Sequence, residues 1–212
     1  MGRRKKEPKR VHRENIASAA SILFMENGIS ATSMDDIAKA AGYSKATLYV
    51  YFENKEEIIS ILVLESMQKL YKYIASSLEQ HDTARARYDL ICQGLVQYQE
   101  EFPFYFKMVL DKINIDFESR DYLPEEKETY QVGEDINDKI KDFLIAGMEK
   151  GELRHDLDIL SVIFTFWGML SGFIQLSSNK EAYIESAMNL SKKKFLENGF
   201  HMLYLSIANT EI

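Results

Sequence analysis

Between Ser44 and Lys55 the chain reads SKATLYVYFENK, which sets hydroxyls, ammonium groups and phenols close together on a short stretch. Ser44, Lys45 and Thr47 are short or cationic donors. Tyr49 and Tyr51 carry rigid phenol hydroxyls that reach phosphate oxygens, and Lys55 adds a further positive charge. Such groups suit a polyanion whose backbone is held by donors and whose base edges are read in a groove. They do not suit acid–base or nucleophilic catalysis, which needs a convergent pair of titrating groups.

The surrounding pattern supplies elements to position them. Ile16, Ala19, Ala20, Leu23 and Phe24 recur at helical spacing and stop at Asn27-Gly28. Ser33 caps a second helix with Asp36 at the reciprocal position, and Gly42 ends it in the left-handed conformation. Ser44 caps a third helix with Leu48 and Phe52 turned inward. Asn54 caps a long fourth one, which keeps an apolar face to about Leu78. Two helices joined by a short glycine turn make a helix-turn-helix, whose second helix enters the DNA major groove. The start of the second helix, at Ser33, offers backbone N–H groups for a phosphate. A plain helical hairpin with tyrosines in its core has the same spacing.

The charge distribution favours the DNA reading. Of 212 residues, those up to Glu53 carry nine lysines and arginines against six acids, whereas the remainder carries 17 against 27. A basic end on an acidic body fits a protein that touches nucleic acid with one end only. The opening GRRKKEPKR is either a solvated tail or an arm that reaches phosphates. The single cysteine, Cys92, precludes an internal disulfide, and the polar start lacks a signal peptide's apolar stretch; both fit a cytoplasmic protein. Glycine-rich phosphate loops, G-x-S-x-G and H-E-x-x-H are missing from the sequence, so neither an enzyme nor a bound cofactor is expected. His12, His81, His155 and His201 are too dispersed to suggest a metal site.

Five more helices are expected: about 82–101, 103–113, 124–150, 156–177 and 181–208, with a loop before Pro124. The uncharged run ILSVIFTFWGMLSGFIQL, residues 159–176, has the length of a membrane span. It equally describes the core helix of a helical protein, and its weak basic flanks favour that account. Ser161, Thr165, Gly168, Gly172 and Gln175 form a small-and-polar seam along it, fit for the close approach of a helix from this chain or from a second copy. Aromatics and methionines concentrate in YQEEFPFYFKMVLDKI and FTFWGMLSGF. They are core, or they line an apolar pocket. Tyr98, Phe102, Phe106, Met108, Phe164, Trp167 and Met169 are the candidate lining. Glu101, Asp111 and Glu134 are either partners for a cationic ligand or ordinary solvated carboxylates.

Residues 16–58, through ILFMENGISATSMDDIAKAAGYSKATLYVYFENKEEII, resemble the DNA-binding domain of the tetracycline-repressor (TetR) family of bacterial transcriptional regulators. GELRHDLD, ahead of the penultimate helix, is a phrase similar to one common there. The resemblance implies an all-α protein of about nine helices: a three-helix DNA-binding domain over 1–54 and a larger ligand-binding and dimerisation domain over 55–212. It implies a homodimeric repressor on a near-palindromic duplex operator, released by a small-molecule effector, with no membrane partner. By that resemblance Thr32 and Ser33 sit at a phosphate. Ser44, Lys45, Ala46 and Thr47 face the groove, and Tyr49, Tyr51 and Lys55 clamp the backbone. The last two helices form the dimer interface, with the seam as its close approach. Ala46 stands where Gly is frequent. Val50 stands where an aromatic or polar residue is frequent, and either meets a thymine methyl or forgoes a phosphate contact. An activator or partner-controlled regulator of the same fold, or a small helical enzyme using the aromatic cavity, are the competing readings.

Overall fold

A computed structural model describes residues 8–79, 82–111 and 122–209. The basic opening segment before Pro8, His81, the loop expected after residue 113 and the Asp111 side chain lie outside the described part. Ten helices occur among the described residues: α1 (Lys9–Asn27), α2 (Met34–Ala40), α3 (Lys45–Tyr51), α4 (Lys55–Leu78), α5 (Ala84–Glu101), α6 (Pro103–Asp111), α7 (Pro124–Glu149), α8 (Ile159–Asn179), α9 (Glu181–Met188) and α10 (Lys192–Leu205). The final helix, expected to be continuous, breaks at Asn189, which takes a left-handed φ of 54°, and Ser191 then caps α10. That break raises the expected nine helices to ten.

The caps fall where the side-chain chemistry puts them. Ser33 accepts from the Asp36 N–H while the Asp36 carboxylate accepts from the Ser33 N–H at 3.0 Å. The Ser33 hydroxyl, 2.6 Å from the same carboxylate oxygen, and then the Ser33 N–H hold the Asp36 carboxyl below its ordinary range. Gly42, at φ 75°, closes α2 by donating to the Lys39 carbonyl, and Tyr43 donates to Ala38 at 2.9 Å. A side chain there would be strained, because the left-handed region places Cβ against the following carbonyl.

Two apolar clusters organise the chain. The first, in the reading head, gathers Ile16, Ala20, Phe24, Ile37, Leu48 and Phe52 with Ile58 and Leu62 of α4 and Met108 of α6. The second, in the body, gathers Leu70 and Ile74 of α4 with Tyr88, Leu95, Leu144, Leu170 and Ile174. α4 thus contributes to both, and the head's core runs past residue 54 into α4.

α8 is long and apolar enough to cross a membrane by composition, yet Ile163, Leu170 and Ile174 bury one face of it within the bundle. Behind it, Phe173 lies between Phe195 and Phe200, its ring centroid 5.0 and 5.7 Å from theirs. The Phe173 ring tip fills the place where a Cβ on Gly199 would stand. A short bridge between Leu153 and Ala208 ties the turn after α7 to the end of the described chain.

Candidate nucleic-acid interface and apolar cavity

α3 has one inward anchor, Leu48, which has no solvent exposure; Phe52 just beyond it is equally enclosed. That fixes the helix's rotation and turns Lys45, Ala46, Tyr49 and Val50 outward, all exposed. Ser44 spends its oxygen on capping, accepting from the Thr47 N–H at 3.1 Å, and the two hydroxyls lie 2.7 Å apart. Lys45 pairs with Asp35 of α2 at 2.7 Å, an exposed contact that raises the ammonium above its usual range through the neighbouring carboxylate. A pair so open to water is worth little and is readily exchanged for another anion. Tyr49 is 45% exposed.

The other expected DNA contacts have partners within the head. Tyr51 packs against His12 and Tyr43, with centroids 5.1 and 6.2 Å away, and the Tyr43 hydroxyl lies 2.7 Å from His12 Nδ1. Thr32 is buried and donates its hydroxyl to the Gly28 carbonyl at 2.9 Å. Lys55 donates to the carbonyls of Ile29 and Thr32 at 2.7 and 3.0 Å, stitching α4 to the turn before α2. An ammonium has three donors, so one remains for another acceptor. Ser33 is exposed.

Arg13 of α1 was not singled out by the sequence reading. Its guanidinium donates to the Tyr51 carbonyl at 2.9 Å, lies 4.5 Å over the Phe52 ring and pairs with Glu125 at 2.6 Å. Glu125 sits in the first turn of α7, so this side chain links the end of α3 to the body. Nothing local in the sequence marks it, because its carboxylate partners, Glu125 and, at 4.0 Å, Glu57 of α4, are both far along the chain.

The aromatic lining expected for one pocket separates into several places. Only Trp167 of that set borders the apolar cavity of about 40 Å³ in the body. Ile74 of α4, Tyr88 and Leu95 of α5, Leu144 of α7, and Trp167 and Leu170 of α8 make most of its wall. The wall is wholly apolar: Tyr88 is its one residue with a side-chain hydroxyl, which is spent on the Phe200 carbonyl at 3.0 Å. Phe102 and Phe106 both pack against Tyr98 elsewhere, with Tyr98 donating to the Ser66 carbonyl at 3.0 Å. Met108 lies in the head's core, and Met169 is half-buried on α8. Phe164, expected at the ligand, lies instead on the outer face of α8, 65% exposed, because Ile163 takes the inward position. Burial pushes the Cys92 thiol up to about 12, which leaves it without thiolate reactivity near neutrality. Glu101 and Glu134 are exposed, and Glu101 accepts from Tyr73 and Gln97. Among the described residues no three His, Cys, Asp or Glu side chains converge to hold a metal.

The seam on α8 faces outward. Ser161, Thr165, Gly168 and Gly172 are exposed and Gln175 is half-exposed, and beyond the helix's own adjoining backbone no described atom lies within 4 Å of where a Cβ on Gly168 or Gly172 would stand. Leu160 and Leu176 flank it at 62% and 50% exposure, with Phe164 between. Tyr183 and Met188 of α9 and Met202 and Leu205 of α10 are further exposed apolar side chains near the same end of the sequence.

A helix-turn-helix head on a helical body is the architecture of a DNA-binding transcriptional regulator. Residues 16–60 match the family described as bacterial regulatory proteins, tetR family. The chain is 23% identical over 194 residues to the fatty acid metabolism regulator protein of Bacillus subtilis, spanning 88% of this chain and 94% of that one. It is 28% identical over 185 residues to IcaR of Staphylococcus epidermidis, the negative transcriptional regulator of the icaADBC biofilm operon, spanning 85% and 92%. The fold matches the fatty acid degradation regulator FadR of Bacillus halodurans with a TM-score of 0.65 at 21% identity, covering 95% and 97%. Residues 16–60 thus carry the DNA-binding domain of the tetracycline-repressor family, and along most of its length the chain is similar to transcriptional regulators, which are DNA-binding proteins rather than enzymes.

Proposed function

We propose that this regulator represses its target genes as a homodimer on a near-palindromic operator and is released when an acyl chain enters the body cavity. In this reading Ser44, Lys45, Ala46 and Thr47 face the major groove. Tyr49, Tyr51 and the remaining donor of Lys55 meet phosphates, beside Thr32 and Ser33 at the start of α2. Support for the dimer comes from the exposed small seam of α8 with its apolar flanks, and from one helix-turn-helix reading only a short half-site.

The observation that carries the effector class is the wholly apolar cavity wall. It offers an entering group no hydrogen-bond partner, so it selects a hydrocarbon chain over a polar molecule. The name of the Bacillus subtilis relative points to the same chemistry. At about 40 Å³ the cavity is smaller than an acyl chain. A chain that enters must part the walls, and so favours a different arrangement of α4, α7 and α8. A ligand shifts an equilibrium only through such differential affinity.

Trp167, the only tryptophan, gives the assay. Tetradecanoate and its coenzyme A thioester should change Trp167 fluorescence, and they should weaken binding to the operator found upstream of the gene. Typical couplings of about 1–3 kcal/mol correspond to roughly 5–150-fold. If neither probe perturbs Trp167 while operator binding is intact, the acyl assignment falls and the DNA-binding function stands.

A further inference from the structure

Val50 is 67% exposed, more than Ile22, Met25 or Tyr49, the other large apolar side chains exposed on the head. It cannot turn inward, because Leu48, with no exposure, already sets the rotation of α3 in the head's core. At 3.6 residues per turn the outward face of α3 runs from Lys45 through Tyr49 and Ala46 to Val50. Ala46 and Val50 are four apart and therefore adjacent. One half of the reading face is thus cationic and phenolic, and the other half is aliphatic.

An isopropyl group neither donates nor accepts, so it gains nothing at a phosphate. Within the major groove the apolar partner that base pairs present is the thymine C5-methyl group. We propose that Ala46 and Val50 form a methyl-reading strip that selects thymine in each operator half-site, with Val50 as the specificity-determining residue at that base pair. The inference rests on α3 being the reading helix and adds a base identity to it. The selected base pair lies on the side of the half-site away from Lys45.

The test uses a duplex that the wild-type protein selects from a random pool. Each thymine is then replaced in turn by deoxyuridine, which deletes the methyl group alone. At one thymine per half-site the replacement should lower wild-type affinity roughly fourfold, the scale of burying one methyl-sized group. Val50→Ala should bind the thymine and deoxyuridine duplexes alike, and should relax base preference at that position in a repeat selection. Val50→Thr, an isosteric change that keeps one methyl, should retain part of the discrimination. Circular dichroism of both variants should match wild type, since the position is exposed. A flat deoxyuridine scan with the wild-type protein overturns the proposal. So does a full penalty that persists in Val50→Ala, which would assign the methyl contact to another residue. Failure of the wild-type protein to select any duplex would instead remove the reading-helix assignment itself.

Discussion

Lys45 is held by Asp35 while no DNA is present, and the two compete for the same charge. In the proposed complex, groove acceptors must displace a carboxylate whose charge also repels the DNA backbone. Asp35→Asn should therefore tighten operator binding severalfold and steepen its salt dependence, since the freed ammonium displaces one more counterion. Lys45→Ala and Tyr49→Phe should weaken binding with helicity unchanged. Titrations at several salt concentrations check all three variants. Weaker binding by Asp35→Asn would mean that Asp35 itself accepts from a base. The donors were legible in the sequence because caps and turns identify the reading helix without tertiary information. Their partners were not: that Lys55 closes on the Ile29 and Thr32 carbonyls, or that Arg13 meets Glu125, depends on how distant segments pack.

Two helices run from the cavity to the head, and they reach it differently. α4 carries Ile74 on the cavity wall and starts beside α3, so it is one lever. α7 carries Leu144 on the same wall and begins at the Arg13–Glu125 pair. The 19 positions between Glu125 and Leu144 span roughly 28 Å of straight helix. In the proposed release, parting the wall at Leu144 shifts α7 and the carboxylate that grips α1, and with it the carbonyl end of α3. Glu125→Gln keeps an acceptor but removes the charge. It should leave the Trp167 response to tetradecanoate unchanged and bring the ratio of ligand affinities, with and without saturating operator, toward one. An unchanged ratio would assign the coupling to α4 alone. Periodicity marked the helices forming this wall, but the cavity draws single aliphatic side chains from several of them. Clusters of aromatics in sequence therefore mark stacking sites more readily than the void.

At the scale of the assembly, the outward seam of α8 makes a sharp test possible. Among the described residues nothing outside the helix's own backbone lies within 4 Å of a Cβ at Gly168, so a side chain there starts into open space. Gly168→Trp should fold with a normal melting transition and run as a monomer in light scattering. The monomer should bind a half-site far more weakly than the dimer binds the full operator, because the second head no longer acts at high local concentration. A folded variant that stays dimeric would move the interface away from α8. The seam was readable from the spacing of small residues, but its direction was not. The same pattern serves a contact within a subunit, and only the burial of Ile163, Leu170 and Ile174 on the other side decides it.

The contact between Gly199 and Phe173 predicts that the two positions are inherited together. An alanine at an ordinary helical position gains about 1 kcal/mol over glycine, so drift alone should erase this glycine. Here its Cβ would meet the Phe173 ring, which Phe195 and Phe200 confine. Overpacking of that kind typically costs about 1–3 kcal/mol. Gly199→Ala should accordingly lower the melting temperature, and Phe173→Leu in the same chain should recover part of the loss. Across descendants of this sequence the two positions should change together or not at all, so that a branch which has lost the phenylalanine is free to lose the glycine as well.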